Sequence, residues 1–238
     1  LDLQLSDLTS LLEYLAYDDR SQRFNGHWYN NGDDGPRLPL KNSNTQLKRD
    51  RDRLRRAGDK AGIRLRESRA AVIDAERFNY LVRAAGSKAG ASLKFVGGHI
   101  REIWEAYEDN DLFLAIDRQG GRTDYRKFLY YVFPEAGIRV LERTPRLSRY
   151  RVWDGKRSME IWFQVESDRF HFPTAYASMT AKYVRELMMS RFQDYWKILA
   201  PAVRPTAGYF RDGRRFLEEI DGLIEEHRID RNLLIRCR

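Results

Sequence analysis

Leu112-Phe113-Leu114-Ala115-Ile116-Asp117 is the stretch on which the fold turns. An apolar run of strand length ends in a carboxylate, and Gly120-Gly121 follows as a turn. A run apolar on both faces predicts a buried central strand. Beyond it, Asp124 to Val132 reads as a helix. Three strand candidates come next: Ile138 to Arg143, Arg149 to Trp153, and Ser158 to Glu166. In the last, Met159, Ile161, Phe163 and Val165 alternate with Glu160, Trp162, Gln164 and Glu166, the period of a strand with one buried face. Asp154-Gly155-Lys156 predicts a hairpin turn between the last two. Thr174 to Leu199 carries the longest helical pattern, closed by Pro201 and Pro205. Gly213 to His227 predicts a final helix, before the apolar tail Leu233-Leu234-Ile235.

Upstream of the run, Ser6 is read as the N-cap of a helix through Leu8, Leu11, Leu12 and Leu15, ending near Tyr17. Asp18 to Asn44 is rich in Asn, Gly, Asp and Pro, with Phe24, Trp28 and Tyr29 embedded, and reads as a long loop. A charged helix is predicted from Thr45 to Gly58, and a short strand from Ile63 to Glu67. Helices follow from Asp74 to Gly86 and from Ala91 to Tyr107, the second interrupted at Gly97-Gly98. Helices mixed with strands place the chain in the α/β class.

Composition bounds the function. Apolar residues are 42% and aromatics 13% of 238, which excludes wholesale disorder. No stretch approaches the roughly 18 apolar residues of a membrane span, so no membrane partner is expected. A single cysteine, Cys237, excludes a disulfide framework and a Cys-based zinc site. His27, His99, His171 and His227 lack the close spacing of a zinc motif. Leu1 to Ser10 lacks a signal-peptide pattern, so a reducing, cytoplasmic location is expected.

The 43 Lys and Arg exceed the 35 Asp and Glu, a net charge of +8. The excess is concentrated between Lys48 and Arg69, where ten basic residues meet four acidic ones. Such a stripe binds phosphates by counterion release, or is simply a solvated helix face, with Asp52 and Arg56 at i, i+4 supporting the helix.

Asp117 stands at the carboxyl end of its strand, where α/β sheets bind ligands, or it caps the following turn. Asp168 ends the next carboxylate-bearing strand, in Val165-Glu166-Ser167-Asp168, and Glu166, two residues earlier, shares its side if the strand continues; the other reading is an exposed acidic turn. Two strand-end carboxylates suggest a divalent-metal site, the hard-oxygen chemistry that Mg²⁺ prefers. On the long helix, Ser178, Lys182 and Arg185 stand at i, i+4 and i+7 on one face, either a phosphate-contact surface or ordinary surface charge. Tyr176, Thr180, Tyr183 and Leu187 fall on a second face and read as core.

Asp168 followed by Ala177-Ser178-Met179-Thr180-Ala181-Lys182-Tyr183-Val184-Arg185-Glu186 resembles the ribonuclease HII family. The spacing from the Asp through the Lys and Arg agrees without a gap. Leu114-Ala115-Ile116-Asp117 looks like the family's third catalytic strand, and Pro205 to Leu217, with Gly208-Tyr209, resembles the segment that contacts nucleic acid. The likeness runs from about Asp111 to Ile220.

The resemblance implies a ribonuclease H-like mixed sheet flanked by helices, with an extra helical insertion in the N-terminal half. Residues 1–110 would be that N-terminal part, and 111–238 the catalytic half. It implies endonucleolytic hydrolysis of RNA in RNA–DNA hybrids, or of DNA containing ribonucleotides, with Mg²⁺ or Mn²⁺. Asp117 and Asp168 would be the third and fourth acids. Ser178, Lys182, Arg185 and Tyr209 would bind substrate, with Tyr209 under the sugar beside the cleaved bond. A monomer is favoured.

The family's Asp-Glu-Ala-Gly motif, source of the first two acids, is absent. Asp18-Asp19 follows a helix, Asp33-Asp34 sits in a Gly/Asn-rich loop, and Glu135-Ala136-Gly137 comes after Asp117. The expectation is a first strand upstream of Leu1. The alternative is a catalytically incomplete nucleic-acid-binding protein of the same fold. A restriction-type nuclease ranks below both, because neither Asp117 nor Glu166 has a Lys two residues on.

Overall fold

Alternation in the last strand candidate builds the sheet. In the computed structural model, which describes residues 5–16, 24–30, 32, 34–107 and 111–237, the strands are β1 (Leu112–Asp117), β2 (Gly137–Arg143), β3 (Leu147–Trp153) and β4 (Ser158–Gln164). The described helices are α1 (Leu8–Tyr14), α2 (Asn44–Ala61), α3 (Ala75–Ala85), α4 (Lys88–Ala106), α5 (Arg126–Val132), α6 (Phe172–Leu199), α7 (Phe210–Glu219), α8 (Asp221–Glu226) and α9 (Arg231–Leu234). The fold is a mixed α/β arrangement with a four-stranded mixed sheet flanked by helices. Among the described residues, no helix is long and apolar enough to cross a membrane.

The chain forms two compact units that interleave in sequence: residues 1–76 with 181–235, and residues 77–180 with 236–238. These units do not follow the expected boundary near residue 110. The second contains the whole sheet, in the order β1-β4-β3-β2, with β1 parallel to β4 and the other pairs antiparallel. Met159, Ile161 and Phe163 of β4 and Tyr150 and Val152 of β3 are fully buried against Ile100 and Trp104 of α4 and Leu129 and Val132 of α5. Gly97 does not interrupt α4. A Cβ there would stand 3.0 Å from Val132 and 3.1 Å from Phe128, so its absence lets α4 and α5 approach.

β1 lies at the edge of this sheet and not at its centre. Its apolar run has a different cause. Leu114 faces the core, while Phe113, 49% exposed, packs edge-on to Trp162 at 5.0 Å on the opposite face. β4 also stops earlier than predicted, at Gln164, because Glu166 takes a left-handed backbone with φ 54°.

The helical unit has two cores of its own. Leu8, Leu11 and Leu15 pack with Val184, Leu187 and Met188. Trp28 and Trp196 pack with Phe216, Ile220, Ile224 and Ile229. Asp7, not Ser6, caps α1, accepting the Ser10 N–H at 2.8 Å. Tyr17 and residues 18–23, 31 and 33 of the expected loop lie outside the described residues, and Asp18, Asp19 and Asp33 with them. Ile63 to Glu67 forms no strand; every residue of it is exposed, so no sheet face covers it. The helix expected over Gly213 to His227 is two helices that bend at the fully buried Ile220. Of the α6 face read as core, only Leu187 is buried, while Tyr183 is 40% exposed.

Candidate metal and nucleic-acid site

In the sheet unit, parallel pairing of β1 and β4 brings their carboxyl ends to the same end of the sheet, with Asp117 opposite Gln164. The chain leaves β4, reverses at Glu166, and enters a short 3₁₀ turn, Ser167–Arg169, that carries Asp168. The Ser167 N–H donates to Asp117 Oδ1 at 3.2 Å. Ser167 is fully buried, its hydroxyl 3.3 Å from that of Thr174, which donates to the Ala115 carbonyl at 3.1 Å. Two hydroxyls therefore pin the Asp168 turn and the first turn of α6 to the backbone of β1. Both aspartates are exposed.

The segment after Asp117 is equally tied. Gln119 donates its side-chain amide to the Asp117 carbonyl at 2.9 Å and its N–H to the Tyr125 hydroxyl at 3.0 Å, and accepts from Ser92 at 2.7 Å. The Arg118 guanidinium donates to the carbonyls of Gly120 and Pro145. Glu166 does not join Asp168 on a continued strand; it pairs with Arg146 at 3.5 Å and Arg169 at 3.2 Å.

Asp117 and Asp168 are hard oxygen donors, and a Mg²⁺-type ion is commonly held by one or two carboxylates with water and phosphate oxygens completing its shell. That chemistry fits the pair. Among the described residues, no group of three or more His, Cys, Asp and Glu is gathered as a metal-ligand set. Ser178 lies half-buried on the sheet unit's part of α6.

In the helical unit, Lys182 is exposed, and Arg185 stands one turn on. Arg185 donates to the Ala207 carbonyl and lies over the Tyr209 ring, 5.0 Å from its centroid. Tyr209 is 68% exposed, which rules out a buried structural aromatic. Its loop is held from behind. Asp212 Oδ2 accepts the buried Thr206 hydroxyl at 2.7 Å and the Ala207 N–H at 2.8 Å. Arg215 donates to Asp212 at 2.8 Å, to the Arg204 carbonyl at 3.1 Å and to the Pro205 carbonyl at 3.1 Å. Gln193 donates to the Thr206 carbonyl at 2.9 Å. Gly208, with φ 73°, supplies the left-handed step a side chain would strain. Hydrogen bonds from Arg215, Thr206 and the Ala207 amide hold the Asp212 carboxyl well below the usual carboxylate range.

Sequence reasoning missed Ser167, Thr174, Thr206, Asp212 and Arg215. Asp212, three residues beyond the N-cap Tyr209, carries the one local signal, an acid reaching back over a helix start. Ser167 and Thr174 act through contacts 50 and 59 residues away in the chain, and Thr206 and Arg215 through Asp212 itself. Comparison with family models, with curated proteins and with solved structures finds no match to this chain.

Proposed function

We propose that this chain is a metal-dependent endonuclease of ribonuclease H-like arrangement that hydrolyses RNA paired to DNA. One observation carries the reading: parallel strands deliver Asp117 to the turn that holds Asp168, through the Ser167 N–H bond. Asp117 and Asp168 would hold Mg²⁺ or Mn²⁺. When bound, such an ion polarises a phosphoryl oxygen and acidifies water. Lys182 neutralises phosphate charge, Ser178 donates a hydroxyl, and Tyr209 offers an exposed ring to a sugar or base face, the type of contact that reads RNA through its 2′-hydroxyl side. Arg185 acts on Tyr209 by fixing its ring and loop.

A second reading, a nucleic-acid-binding protein of the same arrangement without catalysis, is favoured by the absence of a third clustered acid among the described residues. A cleavage assay on a labelled RNA–DNA hybrid in Mn²⁺ and Mg²⁺ separates the two. The nuclease reading expects metal-dependent cleavage, slow for two placed acids, that is lost in Asp117→Asn and Asp168→Asn while hybrid binding persists. Binding without any cleavage in the unmodified chain establishes the second reading.

A further inference from the structure

Helix α2 is 18 residues long and buries none of them. Helices usually owe most of their stability to a packed apolar face, and short isolated ones are marginal in water. Yet α2 is terminated at both ends. Ser43 accepts the Gln46 N–H at 3.2 Å, and Gly62, with φ 68°, closes the C-terminus so that the Ile63 N–H reaches the Gly58 carbonyl at 2.8 Å. The helix is therefore defined by its own sequence and contributes its surface, not a core face.

That surface is basic on two sides, with Lys48, Arg51 and Arg55 on one and a longer stripe on the other, which Asp52 and Asp59 flank. Arg49, Arg53, Arg56 and Lys60 stand at i, i+4, i+7 and i+11, one face of an α-helix, with no acid among them. None of the four makes an ion pair among the described residues; of the acids on the helix, Asp50 accepts from Gln46 at 2.9 Å and Asp52 pairs with Arg51 at 3.4 Å. The opposite stripe, Leu47, Leu54, Gly58 and Ala61, is thin and has no aromatic, unlike the broad apolar face of a helix that lies in a membrane surface.

We infer that α2 is a duplex-binding arm whose Arg49–Arg53–Arg56–Lys60 face lies against the phosphates of double-stranded DNA. The four cations span about 16 Å at 1.5 Å per residue. A B-form duplex presents one phosphate charge per ~1.7 Å of axis, and its major groove admits a helix. The inference does not rest on catalysis at Asp117 and Asp168.

The test uses the full chain and a labelled 30-base-pair DNA duplex, with anisotropy read across a salt series. Each phosphate contact adds about 0.9 to the slope of log affinity against log salt. Replacing all four by Gln (R49Q/R53Q/R56Q/K60Q) lowers that slope by about 3–4, whereas R49K/R53K/R56K and L47A/L54A keep it. An unchanged slope in the Gln variant overturns the inference. So does equal loss in the Lys variant, or loss of binding only to vesicles of mixed neutral and anionic phospholipid. The slope is read on plain DNA without added divalent metal, and cleavage is read on hybrid, so the two proposals fail separately.

Discussion

Tyr209 shows how a single exposed side chain becomes specific. Its ring is 68% exposed, so its position comes from what lies behind it: Arg185 across the ring, Gly208 before it, and the Asp212–Thr206–Arg215 knot. Tyr209→Ala removes no core contact. We expect the melting temperature to hold while affinity for ribonucleotide-containing duplex falls by about 1–3 kcal/mol, the size of an aromatic stacking contact, with little loss for plain DNA. Parallel titrations of both duplexes check this. Asp212 gives a pH dependence with a definite sign. Its folded carboxyl titrates below the ordinary value of 3.8, so its contribution to the loop is complete above that value and is lost as pH falls through the lower folded one. Acid titration followed by loop resonances should show the Thr206–Tyr209 segment loosening below about pH 4, with Asp212→Asn removing that step.

At the scale of elements, the sheet core rests on a few aromatic contacts. Tyr125 stacks on Phe163 with centroids 3.6 Å apart and planes 4° from parallel, and the buried Tyr125 N–H donates to the Tyr150 hydroxyl at 2.9 Å. Phe163→Ala should destabilise the protein by about 3–5 kcal/mol, the usual cost of a large core truncation. Tyr150→Phe keeps the packing but strands a buried N–H, at about 1–3 kcal/mol. Denaturant unfolding measures both. Burial raises the phenol pKa of Tyr125 and Tyr150 above 10.0, so the folded state keeps protons that the unfolded chain releases. Stability should therefore decline as pH rises beyond about 10, and less steeply in Tyr150→Phe. Elements were largely legible where burial is periodic. The β4 alternation of Met159, Ile161 and Phe163 appears as buried residues on one face. The end of β4 was not legible, because the turn at Glu166 answers to Asp117, fifty residues earlier in the chain.

For the molecule as a whole, a net charge of +8 makes polyanion binding salt-sensitive, and the structure divides that charge unequally. Many arginines are occupied internally: Arg149 by Glu160 and Glu142, Arg215 by Asp212 and Glu219, Arg126 and Arg143 by Asp124. Those pairs hold the Asp124 carboxyl far below its ordinary range. Arg49, Arg53, Arg56 and Lys60 of α2 make no such pair among the described residues. Raising salt should thus weaken duplex binding mainly through α2, while hybrid-specific binding at Tyr209 persists as the less salt-dependent part, a difference that titrations at low and high salt resolve.

By itself the sequence determined the α/β class, the strand and helix segments with strong periodicity, the basic stripe, and Asp117 as a carboxylate at a strand end. Those are local properties, carried by side-chain spacing within one element. The tertiary structure alone decided that β1 is an edge strand, that its parallel partner is β4, and that Ser167 and Thr174 join the Asp168 turn to β1. It also decided that Tyr209 is presented outward by a knot of Asp212, Thr206 and Arg215, and that α2 buries none of its residues. The physical reason is the same in each case. Strand order, hydrogen-bond partners and exposure depend on which distant residues meet, and a hydrophobic period records only which face of an element is buried.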